Sequence, residues 1–486
     1  MILKNLLSMS GVNIVKSVLQ FLMTLLMTWF VSPAEFGLVA FSLPFVAFIA
    51  LLTDMGMSSA MVQRNTLTPD EAGAAVTLML VIGVACAAAL AGLAGPLAGA
   101  VRMDGLSAVL AALSVSVVLS IAALGPRAVL ERELRYQTIA LVEAGAAFAA
   151  AVVCVVAAVA GQGIWALIAY YVLVQVIRAA AFAMLARHQV RLNFGWRRVS
   201  SILSFGGWVL ASNVLNFAAR NIGNLLIGAK LGAAAVGLYG LAYQFMILPL
   251  MIFSWPGGGV LMATLSRMSG MGQDRARQNA AICAVLGMTA MITFPAMIYL
   301  TFGLNYPVSA LLSPHWREVL PLIAILAPAG AAQSIAAYSG PILLARGEAR
   351  LQFWISTANS AAMILAFVVA LPFGLRAVAI VYTIVAITVC IAMLIVGTRR
   401  AGLPLTSIAK SLVPASVATA AAVTVALGAV SGEIATLRHW LLATTLYVTV
   451  VLACYVVFRR HILGSLRSLL GGPMTNPPVL EQSPAS

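Results

Sequence analysis

Fourteen apolar runs, each long enough to cross a bilayer as a helix, follow one another along this chain, and its sparse Lys and Arg fall between alternate runs. A span needs ~20 apolar residues to cross ~30 Å of hydrocarbon. Lipid offers backbone groups no water, so only helices or a closed barrel can span it. The strand alternation of a barrel is absent, which leaves helices. The runs lie near 9–31, 36–54, 73–99, 105–125, 139–160, 163–185, 202–228, 233–255, 279–302, 319–344, 353–371, 375–397, 410–431 and 439–458. With the N-terminus inside, twenty of the 28 Lys and Arg fall in cytoplasmic segments, and only Arg102, Lys230, Arg317, Arg376 and Arg438 fall in outer loops. Adding or dropping one span would spoil that bias, so the pattern predicts a multi-pass protein with both termini cytoplasmic. Residues 1–31 lack a convincing cleavage site and read as an uncleaved first span.

The net charge of +15 could suggest nucleic acid in a soluble protein. Here hydrophobic residues are 62% and charged residues 8%, and the cations sit at span ends, so no nucleic-acid partner is expected. Cys86, Cys154, Cys283, Cys390 and Cys454 lie scattered within apolar runs, and the four His lie in loops or at span edges. No metal or cofactor is expected from that spacing. Gly257, Gly258 and Gly259 lack the Lys-Ser/Thr continuation of a phosphate-binding loop and read as a helix-ending turn or hinge in a short basic loop, 256–278.

The chain repeats itself. Residues 8–20 (SMSGVNIVKSVLQ) align without gaps on 204–216 (SFGGWVLASNVLN), and 36–45 (FGLVAFSLPF) on 236–245 (VGLYGLAYQF). Further on, 125–137 matches 340–352, and 163–171 matches 374–383. These matches pair spans 1–6 with spans 7–12. Six is even, so both copies insert with the same orientation, which predicts two parallel six-helix lobes with a site between them near mid-membrane. The expected division is lobes at 1–200 and 201–400, two additional helices at 401–460 and a Pro- and Ser-rich tail at 461–486.

Polar residues mark the first helix of each copy. Ser10, Asn13, Ser17, Gln20, Thr24 and Thr28 recur at three- and four-residue steps, which stacks them on one face. Asn213, Asn216, Arg220 and Asn224 repeat the spacing in span 7. Such a face either lines a wet cavity or bonds to neighbouring helices, and the cation within the duplicated pattern favours the cavity. Three cations fall inside spans: Lys16, Arg178 and Arg220. Each costs ~2.5–3.5 kcal/mol at a helix centre unless it snorkels or pairs. Glu143 and Arg178 match in depth, so they read as an ion pair pinning spans 5 and 6, with ion coupling as the functional alternative. Tyr239, Tyr243 and Gln244 group on span 8, where they suit either packing or a sugar ring.

No nucleotide-binding motif or soluble catalytic domain accompanies these features, and an anionic substrate fits the cations. The stretches SPAEFG-L (32–38), DMGMSSAMVQRN (54–65), LERELRYQ (130–137), GAAAVGLYGLAYQF (232–245) and LLARGEARLQ (343–352) resemble the polysaccharide-transport (Wzx-type) flippases of the MOP superfamily over about residues 8–400. The resemblance implies an all-α polytopic inner-membrane protein that is not an enzyme. Such a protein translocates an undecaprenyl-pyrophosphate-linked oligosaccharide for exopolysaccharide, capsule or O-antigen assembly, alongside polymerase and export machinery. In that mechanism Lys16 and Arg220 hold pyrophosphate, while Gln20, Asn213, Asn216 and Tyr243 face the sugars. Members often have twelve spans, and the last two here are more like the relatives that flip the peptidoglycan precursor. A drug or cation antiporter of the superfamily would want an acidic cavity, but only Glu143 lies well inside a span. A membrane-embedded polymerase or ligase would want catalytic residues on a large outer loop. The only sizeable one, 303–318, offers His315, Arg317 and Glu318.

Overall fold

The computed structural model describes residues 17–63, 67–190, 192–193, 210, 213–214, 217, 221–270, 275–400, 402–430 and 436–458. Twelve helices among them are long and apolar enough to cross a membrane, in the positions of expected spans 2–6 and 8–14. The first span is represented by a shorter apolar helix, Ser17–Met27, and most of 202–228 lies outside the described residues. The chain is a multi-pass membrane protein whose described residues are all-helical and hold twelve helices of membrane-spanning length.

In order, α1 is Ser17–Met27, α2 Pro33–Asp54, α3 Met57–Gln63, α4 Pro69–Val101, α5 Leu106–Arg132, α6 Tyr136–Val159 and α7 Ile164–Leu185. Then come α8 Ala233–Pro249, α9 Trp255–Gly270, α10 Arg275–Phe302, α11 Asn305–Leu311, α12 Val319–Ala336 and α13 Ser339–Ala345. The last four are α14 Ala349–Ala370, α15 Leu375–Arg400, α16 Leu405–Ala429 and α17 Leu437–Val457. Two starts are written in the sequence. Ser32-Pro33-Ala34-Glu35 and Thr68-Pro69-Asp70-Glu71 each close a capping box: the hydroxyl accepts from the third backbone N–H, and the Glu carboxylate accepts from the cap's own N–H at 2.9 Å. Pro follows the cap in both, where its missing N–H removes no helical bond.

The chain forms two compact units. The first comprises residues 1–252, 300–330 and 354–389, and so draws on both sequence repeats. In it α2 packs closely along α8, and α5 packs on α4 and α7. The crossing of α2 and α8 is reciprocal. A Cβ on Gly37 would run into the Ala233 carbonyl, and a Cβ on Gly237 would run into the Pro33 carbonyl. Gly37 and Gly237 are equivalent in the repeat, as are Pro33 and Ala233, so α2 and α8 cross about a local two-fold axis. Small residues are what membrane helices use to bring backbones this close. The stretch 303–318 is folded against the same unit. Trp316 is fully buried, its Nε1 donating to the Val31 carbonyl at 3.0 Å, and Ser313 Oγ donates to the Thr28 carbonyl at 2.9 Å. Both carbonyls belong to the end of the first helical segment, where helical partners run out.

The second unit comprises residues 253–299, 331–353 and 390–486. Its described residues carry a neutral hydroxyl network. Thr289 Oγ1 and Tyr338 Oη lie 2.7 Å apart, as do Thr293 Oγ1 and Ser334 Oγ. Pro295 breaks α10 by removing the N–H that the Met291 carbonyl would accept from. Tyr455 of α17 donates its hydroxyl to that carbonyl, and Tyr447, two turns earlier, donates to the Pro295 carbonyl at 2.8 Å. Tyr299 and Thr444 pair at 2.7 Å on the same two helices. The additional C-terminal helix is thereby stapled over the proline break.

The glycine run is neither a turn nor a loop: Gly257–Gly259 lie within α9, which follows a π-helical turn at 250–254. Close packing is the reason. A Cβ at Gly257 would collide with the Tyr338 hydroxyl, and one at Gly258 would press on Pro341. The outward faces are apolar: Leu141, Phe148 and Val156 on α6, and Phe373 and Val457, are more than three-fifths exposed, as a bilayer-facing surface requires.

Candidate functional site

The polar face of the first helix divides into two parts. Gln20 is exposed and Ser17 half-buried. Thr24 and Thr28 are buried, and each returns its hydroxyl to its own helix, Thr24 to the Gln20 carbonyl at 3.0 Å and Thr28 to the Leu25 carbonyl at 2.6 Å. The threonines are thus satisfied without water, and Gln20 remains the outward polar group of the described face.

α1 meets α8 through Phe21 and Phe245, with centroids 4.9 Å apart and rings nearly perpendicular. The repeat-related approach occurs on the other side, where Phe217 meets Phe48 of α2 at 5.6 Å. Phe217 is equivalent to Phe21, and Phe48 lies one helical turn from the equivalent of Phe245. Phe21 and its equivalent Phe217 therefore each meet an aromatic ring on the second helix of the opposite copy. Gln20 and Tyr243 sit on the two helices joined by the Phe21–Phe245 contact. Asn213 is half-buried; Lys16, Asn216 and Arg220 lie outside the described residues.

Tyr243 belongs to an aromatic group built by α8, α14 and α15. Its ring pairs with Tyr239 and Tyr382, both at 6.2 Å, and Phe367 closes the set against Tyr239 and Tyr382. Tyr239 is buried, and its hydroxyl has no hydrogen-bond partner among the described residues. The cluster is largely packed, with half-buried Tyr243 as its accessible member.

Charge converges elsewhere in the same unit. Arg178 of α7 donates from Nη2 to Glu143 Oε1 of α6 at 3.3 Å and from Nη1 to Gln175 Oε1 at 2.8 Å. Arg127 of α5 places Nε 3.3 Å from the same Glu143 oxygen. Sequence reasoning missed Arg127 because it drew span 4 as ending at 125, whereas the helix runs to Arg132. The helical phase continues through Ala-Val-Leu-Glu, which is the signal that would have placed Arg127 within the helix. Asp54, at the end of α2, accepts from both the backbone and the hydroxyl of Ser58.

A model of the polysaccharide biosynthesis protein family matches residues 26–321. The chain is 24% identical over 321 residues to the lipopolysaccharide biosynthesis protein WzxC of Escherichia coli, a match covering 66% of this chain and 65% of that protein. It is likewise 24% identical over 336 residues to the succinoglycan biosynthesis transport protein ExoT of Rhizobium meliloti, covering 69% and 67%. The matches thus span about two thirds of these relatives' lengths. Among solved structures, the lipid II flippase MurJ in an inward closed conformation superimposes with a TM-score of 0.73 at 14% identity, covering 94% of this chain and 99% of that one. An inward-facing multidrug MATE transporter of the MOP superfamily gives 0.62 at 13%, covering 82% and 98%. These likenesses establish a shared MOP fold. With the family match extending over well more than half of its residues, the chain belongs to the polysaccharide biosynthesis protein family.

Proposed function

We propose that this protein is a flippase that carries an undecaprenyl-pyrophosphate-linked oligosaccharide repeat unit across the bacterial inner membrane for exopolysaccharide, capsule or O-antigen assembly. It acts by alternating access, without catalysing a covalent step, and both termini face the cytoplasm. The lobes at 1–200 and 201–400 open in turn around a cationic cleft. Lys16 and Arg220 grip the pyrophosphate, Gln20, Asn213, Asn216 and Tyr243 meet the sugars, and the lipid tail stays in the bilayer. The reciprocal meeting of the two copies at Gly37 and Gly237 carries this reading, because two like-oriented halves on a local two-fold axis are the geometry that rocking transport needs. Membership of the polysaccharide biosynthesis family supports the substrate class.

A second reading, a flippase for the peptidoglycan lipid precursor, is favoured by the extent of the MurJ likeness, which covers 94% of this chain. Reconstitution into vesicles separates the two. The first reading expects protein-dependent movement of a labelled undecaprenyl-pyrophosphate-linked oligosaccharide, poorly competed by lipid II, and loss of at least ten-fold in rate in the Lys16→Ala, Arg220→Ala double variant. Equal rates in the wild type and the double variant would rule out the cationic cleft.

A further inference from the structure

The charged cluster of the first unit has an uneven balance. Within its interior one carboxylate, Glu143, serves two guanidinium groups, Arg127 and Arg178, both reaching the same oxygen at 3.3 Å. Glu131 lies a turn nearer the helix end, at 4.0 Å from Arg127 and one-third exposed, the limit of an ion pair. The Nε of Arg178 is buried and makes no hydrogen bond among the described residues, while the Nε of Arg127 meets Glu143 as an ion pair without hydrogen-bond geometry. A buried donor without an acceptor is costly, so this arrangement is a poor way merely to pin helices. Glu143 lies seven residues past the start of α6 and Arg178 seven before the end of α7, each about 10 Å along its helix at 1.5 Å per residue. Three helices thus deliver two planar forks to one shallow point, with Gln175 supplying a further polar group. Guanidinium forks match the oxygens of phosphates, which can accept several such bonds at once.

We propose that Arg127 and Arg178 form a binding site for a pyrophosphate group near the cytoplasmic face, and that Glu143 is an internal anion occupying it when no ligand is bound. The ligand's oxygens take the donors that Glu143 shares, and the carboxylate gives way. On the flippase reading, on which the lipid-borne form of the ligand rests, this is where the headgroup docks before reaching the cleft. Free pyrophosphate shares the chemistry, so the two sources are measured separately.

The test titrates the full-length purified protein with inorganic pyrophosphate and, in a second arm, with undecaprenyl pyrophosphate in detergent micelles, following heat. Glu143→Gln removes the competing charge and is expected to tighten both ligands by about ten-fold or more, while Arg178→Gln weakens both similarly. A structural ion pair predicts the opposite for Glu143→Gln: no tightening, with loss of thermal stability only. Should Glu143→Gln fail to fold, Arg127→Gln and Arg127→Lys carry the test, with weakening by the first and partial retention by the second. Binding of neither ligand to the wild type, or equal binding by all variants, overturns the site. Binding of inorganic pyrophosphate alone overturns the lipid docking step. Normal binding with no transport of lipid-linked oligosaccharide would overturn the flippase reading and leave the site intact.

Discussion

The Arg127–Glu143–Arg178 cluster and the hydroxyl network around Pro295 are both polar groups buried in apolar helices, yet they are built on opposite terms. Around Pro295 the paired groups are neutral and matched: Tyr455 meets the one carbonyl the proline orphans, and Thr289 with Tyr338 and Thr293 with Ser334 pair at 2.7 Å. In the charged cluster two forks share one oxygen, and the Nε of Arg178 is left over. A matched network holds helices together, whereas a charged and unmatched one costs stability that packing alone does not return. The contrast separates polar groups that act as glue from polar groups that await a ligand.

Breaking the charged cluster on one side has the largest expected effect. Arg178→Leu removes one of the two guanidinium groups on Glu143 and is expected to destabilise the protein by about 2–3 kcal/mol, read as thermal unfolding in detergent; a pair this protected from solvent loses most of a buried bridge's worth. Thr289→Val leaves the Tyr338 hydroxyl unpaired and is expected to cost about 1.5 kcal/mol; adding Tyr338→Phe recovers much of it, since neither partner is then stranded. Tyr455→Phe re-orphans the Met291 carbonyl and costs about 0.6–1 kcal/mol, the scale of a hydrogen bond between membrane helices. Replacing Arg127, Glu143 and Arg178 together by Leu is expected to change stability by less than about 1 kcal/mol while abolishing pyrophosphate binding. If that triple variant instead lost as much stability as Arg178→Leu, the cluster would be glue after all and the contrast would fail.

Much of the fold was legible because membrane insertion writes strong signals. The apolar runs gave the positions of the twelve described spans, although two helices begin three and four residues before their apolar runs, at the SPAE and TPDE caps. The weak matches between repeats gained physical meaning from Gly37 and Gly237, equivalent positions that touch each other's helices. What stayed illegible was tertiary. Gly257–Gly259 read as a hinge by soluble-protein rules, but in α9 they make room for Tyr338 and Pro341, which no local pattern reveals. Arg127 looked like a topological anchor because hydropathy ends a span where charge begins, while the helix itself runs on to Arg132. Thr24 and Thr28 shared a polar face with Gln20 in sequence, yet their hydroxyls bond back to their own helix, so periodicity overstated the wet face. The contact-defined units also cut across the repeat: residues 1–252 pack with 300–330 and 354–389, through pairings that sequence spacing does not carry.

The central claim is that the two copies must part and rejoin where the first helix of one meets the second helix of the other. It is tested most directly at Phe21 and Phe245, whose rings lie 4.9 Å apart. In a background with the five native cysteines replaced, Phe21→Cys and Phe245→Cys are introduced together, and transport of labelled undecaprenyl-pyrophosphate-linked oligosaccharide is followed in vesicles. The account predicts that transport stops when the disulfide forms and returns on reduction. Undiminished transport with the disulfide fully formed would contradict it.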